Sequence, residues 1–185
     1  YVVITQFASH EWAHLSFDES GSVVGDPTSF SRLVSLGRLV FKWYAIASII
    51  FIVVVGIIGY FFLSSKPNVN ISWEIPWFTF IFLSGLQLWI LPFLSLLEGC
   101  GQVANIYKFR LIQAVLSACV MWTTLFLGGG LWITTASVGS GLLVNIIFFS
   151  FKYRNFFKTF FLVTPTEKII WKTEIWPMQW RLAIG

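Results

Sequence analysis

Charge is what this sequence has least of. Only 11% of its 185 residues are Asp, Glu, Lys or Arg, against about 25% in an ordinary soluble domain. That shortage, beside 57% hydrophobic and 19% aromatic residues, excludes a water-facing globule and places most of the chain in lipid. Cysteine is scarce as well. Cys100 falls at a helix end and Cys119 deep in a hydrophobic run, so the pair offers no disulfide scaffold. There is no initiator Met, no signal-peptide pattern and no cleavage site. The chain opens on apolar "YVVITQFA" and closes on "WRLAIG". Both ends read as cuts through a longer protein, with a partial helix at each.

What is present is long apolar runs. A helix needs about 20 apolar residues to cross a bilayer, and four stretches qualify: about 43–63, 75–97, 106–127 and 131–151. Pro76 falls in a first turn, where its missing N–H costs little. Pro92 is expected to kink its helix. "GGG" at 128–130 makes a tight turn between the last two spans. "SRLVSLGRLVFK" shows helical spacing and is expected to extend the first span, whereas "FDESGSVVGDP" upstream reads as an acidic, turn-rich loop. The expected fold is an all-α polytopic membrane helix bundle, with four full transmembrane helices plus partial helices at both ends. It forms one transmembrane domain over 1–185, with a connector at 152–175.

The few charges then carry topology. Alternate loops hold eleven basic residues against one, Lys66. By the positive-inside rule the basic loops are cytoplasmic, at the cytoplasmic membrane. Trp43, Trp73, Trp77 and Trp132 fall at the expected interfaces. The net charge of +4 is explained by this placement, so no nucleic-acid partner is implied. The basic, aromatic "KYRNFFKTFF" could meet anionic headgroups, but topology already explains its charges, and the linker reading is favoured.

Residues 10–14, "HEWAH", fit H-E-x-x-H. On a helix that pattern sets two histidines on one face for zinc, with the glutamate as general base. His10, Glu11 and His14 are thus candidate metal residues of an intramembrane zinc protease. Two points weigh against it. The turn-rich "FDESG" follows almost at once, so the helix has little room to continue. A third ligand is also required. Of the downstream acids, Glu74 falls on the other side of the membrane, and Glu98 has no acidic motif around it. Neither a nucleophile elbow nor a phosphate loop is visible, and no cofactor is expected.

Polar residues inside the spans are the remaining candidates. For Gln87, Gln113 and Asn145, helix glue and cavity lining stand as equal readings. "TTASVGSGLL" spaces small residues four apart, Thr135 with Gly139 and Ser137 with Gly141, which favours close helix packing.

Three stretches carry a resemblance. "LPFLSLLEGCGQVANIYKFRLIQAVLSA", "KYRNFFKTFF" followed by "EIWPMQWRLAIG", and "SRLVSLGRLVFKWY" resemble cytoplasmic loops of the polysaccharide and lipid-linked oligosaccharide flippases. That family belongs to the multidrug/oligosaccharidyl-lipid/polysaccharide exporter superfamily. The resemblance implies most of an N-terminal lobe, paired with a missing C-terminal lobe, and alternating access for a lipid-linked sugar. It needs no metal at "HEWAH", which makes that motif fortuitous. It also makes Arg110 and Arg181 candidates to meet the substrate's pyrophosphate, although both suit snorkelling to headgroups, the favoured reading from residue type alone. Other function classes left open are the zinc protease and a non-catalytic membrane assembly module.

Overall fold

The computed structural model describes residues 2–18, 21–65, 72–163 and 165. In chain order the elements are α1 (Val2–Trp12), β1 (Leu15–Phe17), β2 (Val23–Gly25), α2 (Pro27–Ser64), α3 (Glu74–Gly99), α4 (Val103–Phe126), α5 (Trp132–Lys152) and α6 (Arg154–Leu162). Four of them, α2 to α5, are long and apolar enough to cross a membrane. The chain is a polytopic membrane helix bundle, and its two short strands are a minor addition.

Helix ends follow from local chemistry. Asp26 caps α2: its Oδ2 accepts from the Ser29 N–H at 3.0 Å and from the Thr28 hydroxyl. Pro27 follows at the first helical position, where no N–H is needed. Those hydrogen bonds, the Thr28 hydroxyl's foremost, hold the Asp26 carboxyl at a pKa of about 2. The 38 residues of α2 extend about 57 Å at 1.5 Å per residue, well beyond a hydrocarbon core of about 30 Å. The amphipathic stretch before the first span is therefore one helix with it, as the spacing of its apolar residues implies.

Helices α3 and α4 close in the same way. Gly101, at φ +73°, lets the Gln102 N–H reach the Leu97 carbonyl at 3.0 Å and the Gly101 N–H reach Glu98 at 3.3 Å. Gly128, at φ +74°, repeats the pattern with Gly129 to Thr124 and Gly128 to Leu125. Both positions need the left-handed backbone that glycine adopts freely. The glycine turn at 128–130 is thus a helix stop as well as a connection. Helix α3 runs on through Pro92.

The turn-rich loop expected over 17–27 overlaps an antiparallel hairpin, with Leu15 opposite Gly25 and Phe17 opposite Val23. The connector expected from 152 begins with a helix, α6. The partial helix expected from about Trp176 lies outside the described residues.

The chain forms two compact units that share the long helices. The first comprises Tyr1–Lys42, Pro92–Tyr107 and the described part of Phe149–Gly185. It has a true core: Leu33, Leu36, Leu96, Leu97, Ile106 and Phe156 are fully buried. Phenylalanines dominate it. Phe41 stacks on Phe93 at 4.2 Å, Phe93 meets Phe157 at 4.7 Å, and Phe156 meets Phe160 at 4.9 Å. Glycines let helices approach there. A Cβ on Gly99 would overlap that of Ala8 on α1, and one on Gly37 would fall 2.5 Å from the Phe160 ring.

The second unit comprises Trp43–Leu91 and Lys108–Phe148. Its outer surface is apolar: Ile49, Ile57, Phe61, Leu111, Val115 and Ile147 are exposed, as lipid-facing side chains are. Polar groups inside it bond across helices instead. The Ser48 hydroxyl donates to the Gly85 carbonyl at 2.6 Å and Thr135 to the Pro76 carbonyl at 3.3 Å.

Candidate functional site

Within the second unit, α4 and α5 run antiparallel and turn polar faces toward each other. Three contacts fix the register. Gln113 Nε2 donates to the Gly141 carbonyl at 3.0 Å, the Ser137 hydroxyl lies 3.5 Å from the Ser117 carbonyl, and the Ser117 and Ser140 hydroxyls are 3.3 Å apart. Arg110, Gln113 and Ser117 follow i, i+3, i+7 spacing, one helix face. Ser137, Gly141 and Asn145 follow i, i+4, i+8 on α5. Gly141 is small for a reason: a Cβ there would lie 3.2 Å from Gln113 Nε2 and 3.3 Å from Ser117 Oγ.

Helix α3 supplies the third wall. A cleft of about 260 Å³ is lined by Gln87 from α3, Arg110, Gln113 and Ser117 from α4, and Ser137 and Gly141 from α5. Two amides, two hydroxyls and a guanidinium in one place are unusual between lipid-crossing helices, where each polar group is costly unless it bonds or meets water. The cleft offers donors and acceptors for a polyhydroxylated group and a cation for an anionic one.

Of the sequence candidates, Gln87, Arg110 and Gln113 are therefore brought together. Asn145 is not among the lining residues. It is 2% exposed, and its Oδ1 has no partner among the described residues. Continuing the α4–α5 register puts it level with Arg110. Arg181 lies outside the described residues. Ser117 was missed by sequence reading, although its position four after Gln113 and seven after Arg110 put it on their face.

"HEWAH" has a different geometry from a metal helix. Helix α1 stops at Trp12, so His14 lies beyond it, and its carbonyl accepts from the Asp26 N–H at 3.2 Å beside the hairpin. The His10 side chain is 81% exposed. Glu11 is turned inward, 5% exposed, with its Oε1 accepting from Arg32 Nε at 2.9 Å. Among the described residues no three His, Cys, Asp or Glu side chains gather into a metal-binding group.

Comparison with protein-family models, with curated proteins and with solved structures finds no match.

Proposed function

We propose that the chain is part of a transporter that moves lipid-linked oligosaccharide or polysaccharide precursors across the cytoplasmic membrane. The observation that carries this reading is the polar cleft among α3, α4 and α5. In an otherwise apolar bundle, Gln87, Arg110, Gln113, Ser117 and Ser137 match what a sugar diphosphate head requires: amides and hydroxyls for its hydroxyls, a guanidinium for its phosphates. The resemblance of the three basic loops to flippase loops supports the same reading. So does the eleven-to-one division of basic residues, the imbalance expected of cytoplasmic loops. On this reading the cleft is one wall of a central cavity completed by a second lobe. The polar head crosses as the lobes rock, while the lipid tail stays in the bilayer.

Arg110 is the residue on which the proposal is most exposed to test. At about 4 Å from a phosphate, a cation contributes roughly 1 kcal/mol in water and about 4 kcal/mol near a protein surface. Arg110→Gln in the full-length protein should therefore cut export about tenfold or more, with accumulation of the lipid-linked precursor. Lys108→Gln, at an exposed neighbouring position, should leave export unchanged. Arg110→Lys separates charge from shape. If the arginine only anchors the helix in headgroups, Gln and Lys variants at 110 export as the wild type does, and the cleft loses its assigned role.

A further inference from the structure

The short helix α6 (Arg154–Leu162) has two unlike faces. Phe156, Phe157 and Phe160, with Tyr153 just before the helix, are buried within the first unit, while Arg154 and Lys158, with Lys152 at the end of α5, are exposed. Arg154 and Lys158, four residues apart, share a face.

The helix cannot roll. Arg38, on α2, donates from Nε to the Phe160 carbonyl and from Nη2 to the Val163 carbonyl, both at 2.7 Å. This guanidinium satisfies carbonyls that a helix C-terminus leaves open. The Phe160 ring fits against the bare backbone of Gly37, and the Tyr153 hydroxyl bonds Gln102 Oε1 at 3.0 Å. The outward direction of the basic face is thereby fixed.

Its depth is fixed by the chain. Helix α5 crosses the membrane and ends at Lys152, and α6 begins at Arg154. One residue spans at most about 3.6 Å, so α6 starts at the level where the hydrocarbon gives way to headgroups. Phe151 and Leu162, both strongly exposed at 86% and 77%, bracket the basic face with apolar contacts suited to that boundary.

We infer that α6 is a headgroup-binding helix whose Arg154–Lys158 face, with Lys152 at the adjoining end of α5, selects anionic glycerophospholipids over zwitterionic ones. The positive-inside rule explains why basic residues lie on this side of the bilayer. It does not explain a clamped helix that carries Arg154 and Lys158 on one exposed face. The inference stands apart from the transport reading, since it uses none of the cleft residues.

Native mass spectrometry of the delipidated full chain tests it, with phosphatidylglycerol, phosphatidylcholine and inorganic phosphate added in separate arms. Phosphatidylglycerol should be retained in preference to phosphatidylcholine, and inorganic phosphate should not bind. Arg154→Gln with Lys158→Gln should weaken phosphatidylglycerol retention by about fivefold for each charge removed. Arg154→Lys with Lys158→Arg, which keeps both charges, should retain the preference. An unaltered circular dichroism spectrum and elution volume show that the variants are folded. Equal retention of the two lipids by the wild type overturns the inference, as does an undiminished preference in the folded Gln variant or binding of free phosphate.

Discussion

Glu11 is either a buried anchor or a catalytic base, and its partner decides which. The carboxylate is 5% exposed, while the Arg32 side chain that meets it at 2.9 Å is 33% exposed. This asymmetry sets the order of the single-mutant effects. Arg32→Ala strands a carboxylate in a place water hardly reaches, and removing one partner of a buried pair costs about 3 kcal/mol or more. Glu11→Ala takes one acceptor from a guanidinium that is partly exposed and can turn toward water, so the cost falls to about 1–2 kcal/mol. Glu11→Gln keeps an acceptor for Arg32 Nε and costs about 1 kcal/mol or less. The double variant should then show a coupling of about 1–2 kcal/mol.

Cys100 supplies the assay. It is buried in the same unit, and burial pushes its thiol pKa up, so a thiol-reactive dye reaches it only when that unit opens. In a Cys119→Ala background, dye uptake during heating in detergent reads the unit's stability directly. Metal content by mass spectrometry completes the experiment: it should be the same in wild type, His10→Ala and His14→Ala. The anchor reading fails if Arg32→Ala melts with the wild type, if Glu11→Ala proves the costlier change, or if stoichiometric zinc disappears with the histidines.

Three further outcomes follow from the same geometry. Gly37→Leu would drive a side chain into the Phe160 ring and should lower stability by about 1–3 kcal/mol in the Cys100 assay, as overpacking does; an unchanged midpoint would dissolve the α2–α6 contact. The capping hydrogen bonds hold the folded Asp26 carboxyl at a pKa of about 2, below its ordinary value of 3.8, so its capping contribution is complete above about pH 4 and fades as pH falls toward 2. Carboxyl-selective NMR should find that pKa, and Asp26→Asn should abolish the acid-dependent loosening of the α2 start. Cysteines introduced at Ser16 and Ser65, which flank α2, should label from opposite sides of the membrane in intact cells, and labelling of both from outside would reject the topology.

The spans were legible because hydropathy over about 20 residues is a strong signal. Their ends were less so. The second span runs Glu74–Gly99 rather than 75–97, and the third starts at Val103 rather than 106, because capping and glycine stops act on polar residues that hydropathy discards. The hairpin was missed for a different reason: strands of three residues, Leu15–Phe17 and Val23–Gly25, are too short to show alternation. Helix α6 was readable. Tyr153, Phe156, Phe157 and Phe160 have the i, i+3, i+4, i+7 spacing of a buried helical face, but the charges between them were assigned to topology alone.

For the cleft, residue type was legible and pairing was not, since which helix faces meet is a tertiary fact. Glue and cavity lining, equal readings for three intramembrane amides, separate once the partners are known. Gln113 does both. One of its two N–H groups is spent on the Gly141 carbonyl, which leaves the second N–H and the acceptor oxygen for whatever occupies the cleft. Gln87 lines the same space, with its Nε2 3.9 Å from where a Gly141 Cβ would sit. Asn145 does neither: it is buried outside the lining, with its oxygen unmatched among the described residues. A buried carbonyl without a partner costs about 1–3 kcal/mol. Asn145→Leu should therefore be neutral or stabilising, whereas Gln113→Leu loosens α4 from α5. The loss at Gln113 is small, about 0.6 kcal/mol for a typical interhelical bond in a membrane. Export should accordingly be more sensitive to Gln87→Leu than stability is, because that change removes cleft polarity and leaves the helix register untouched.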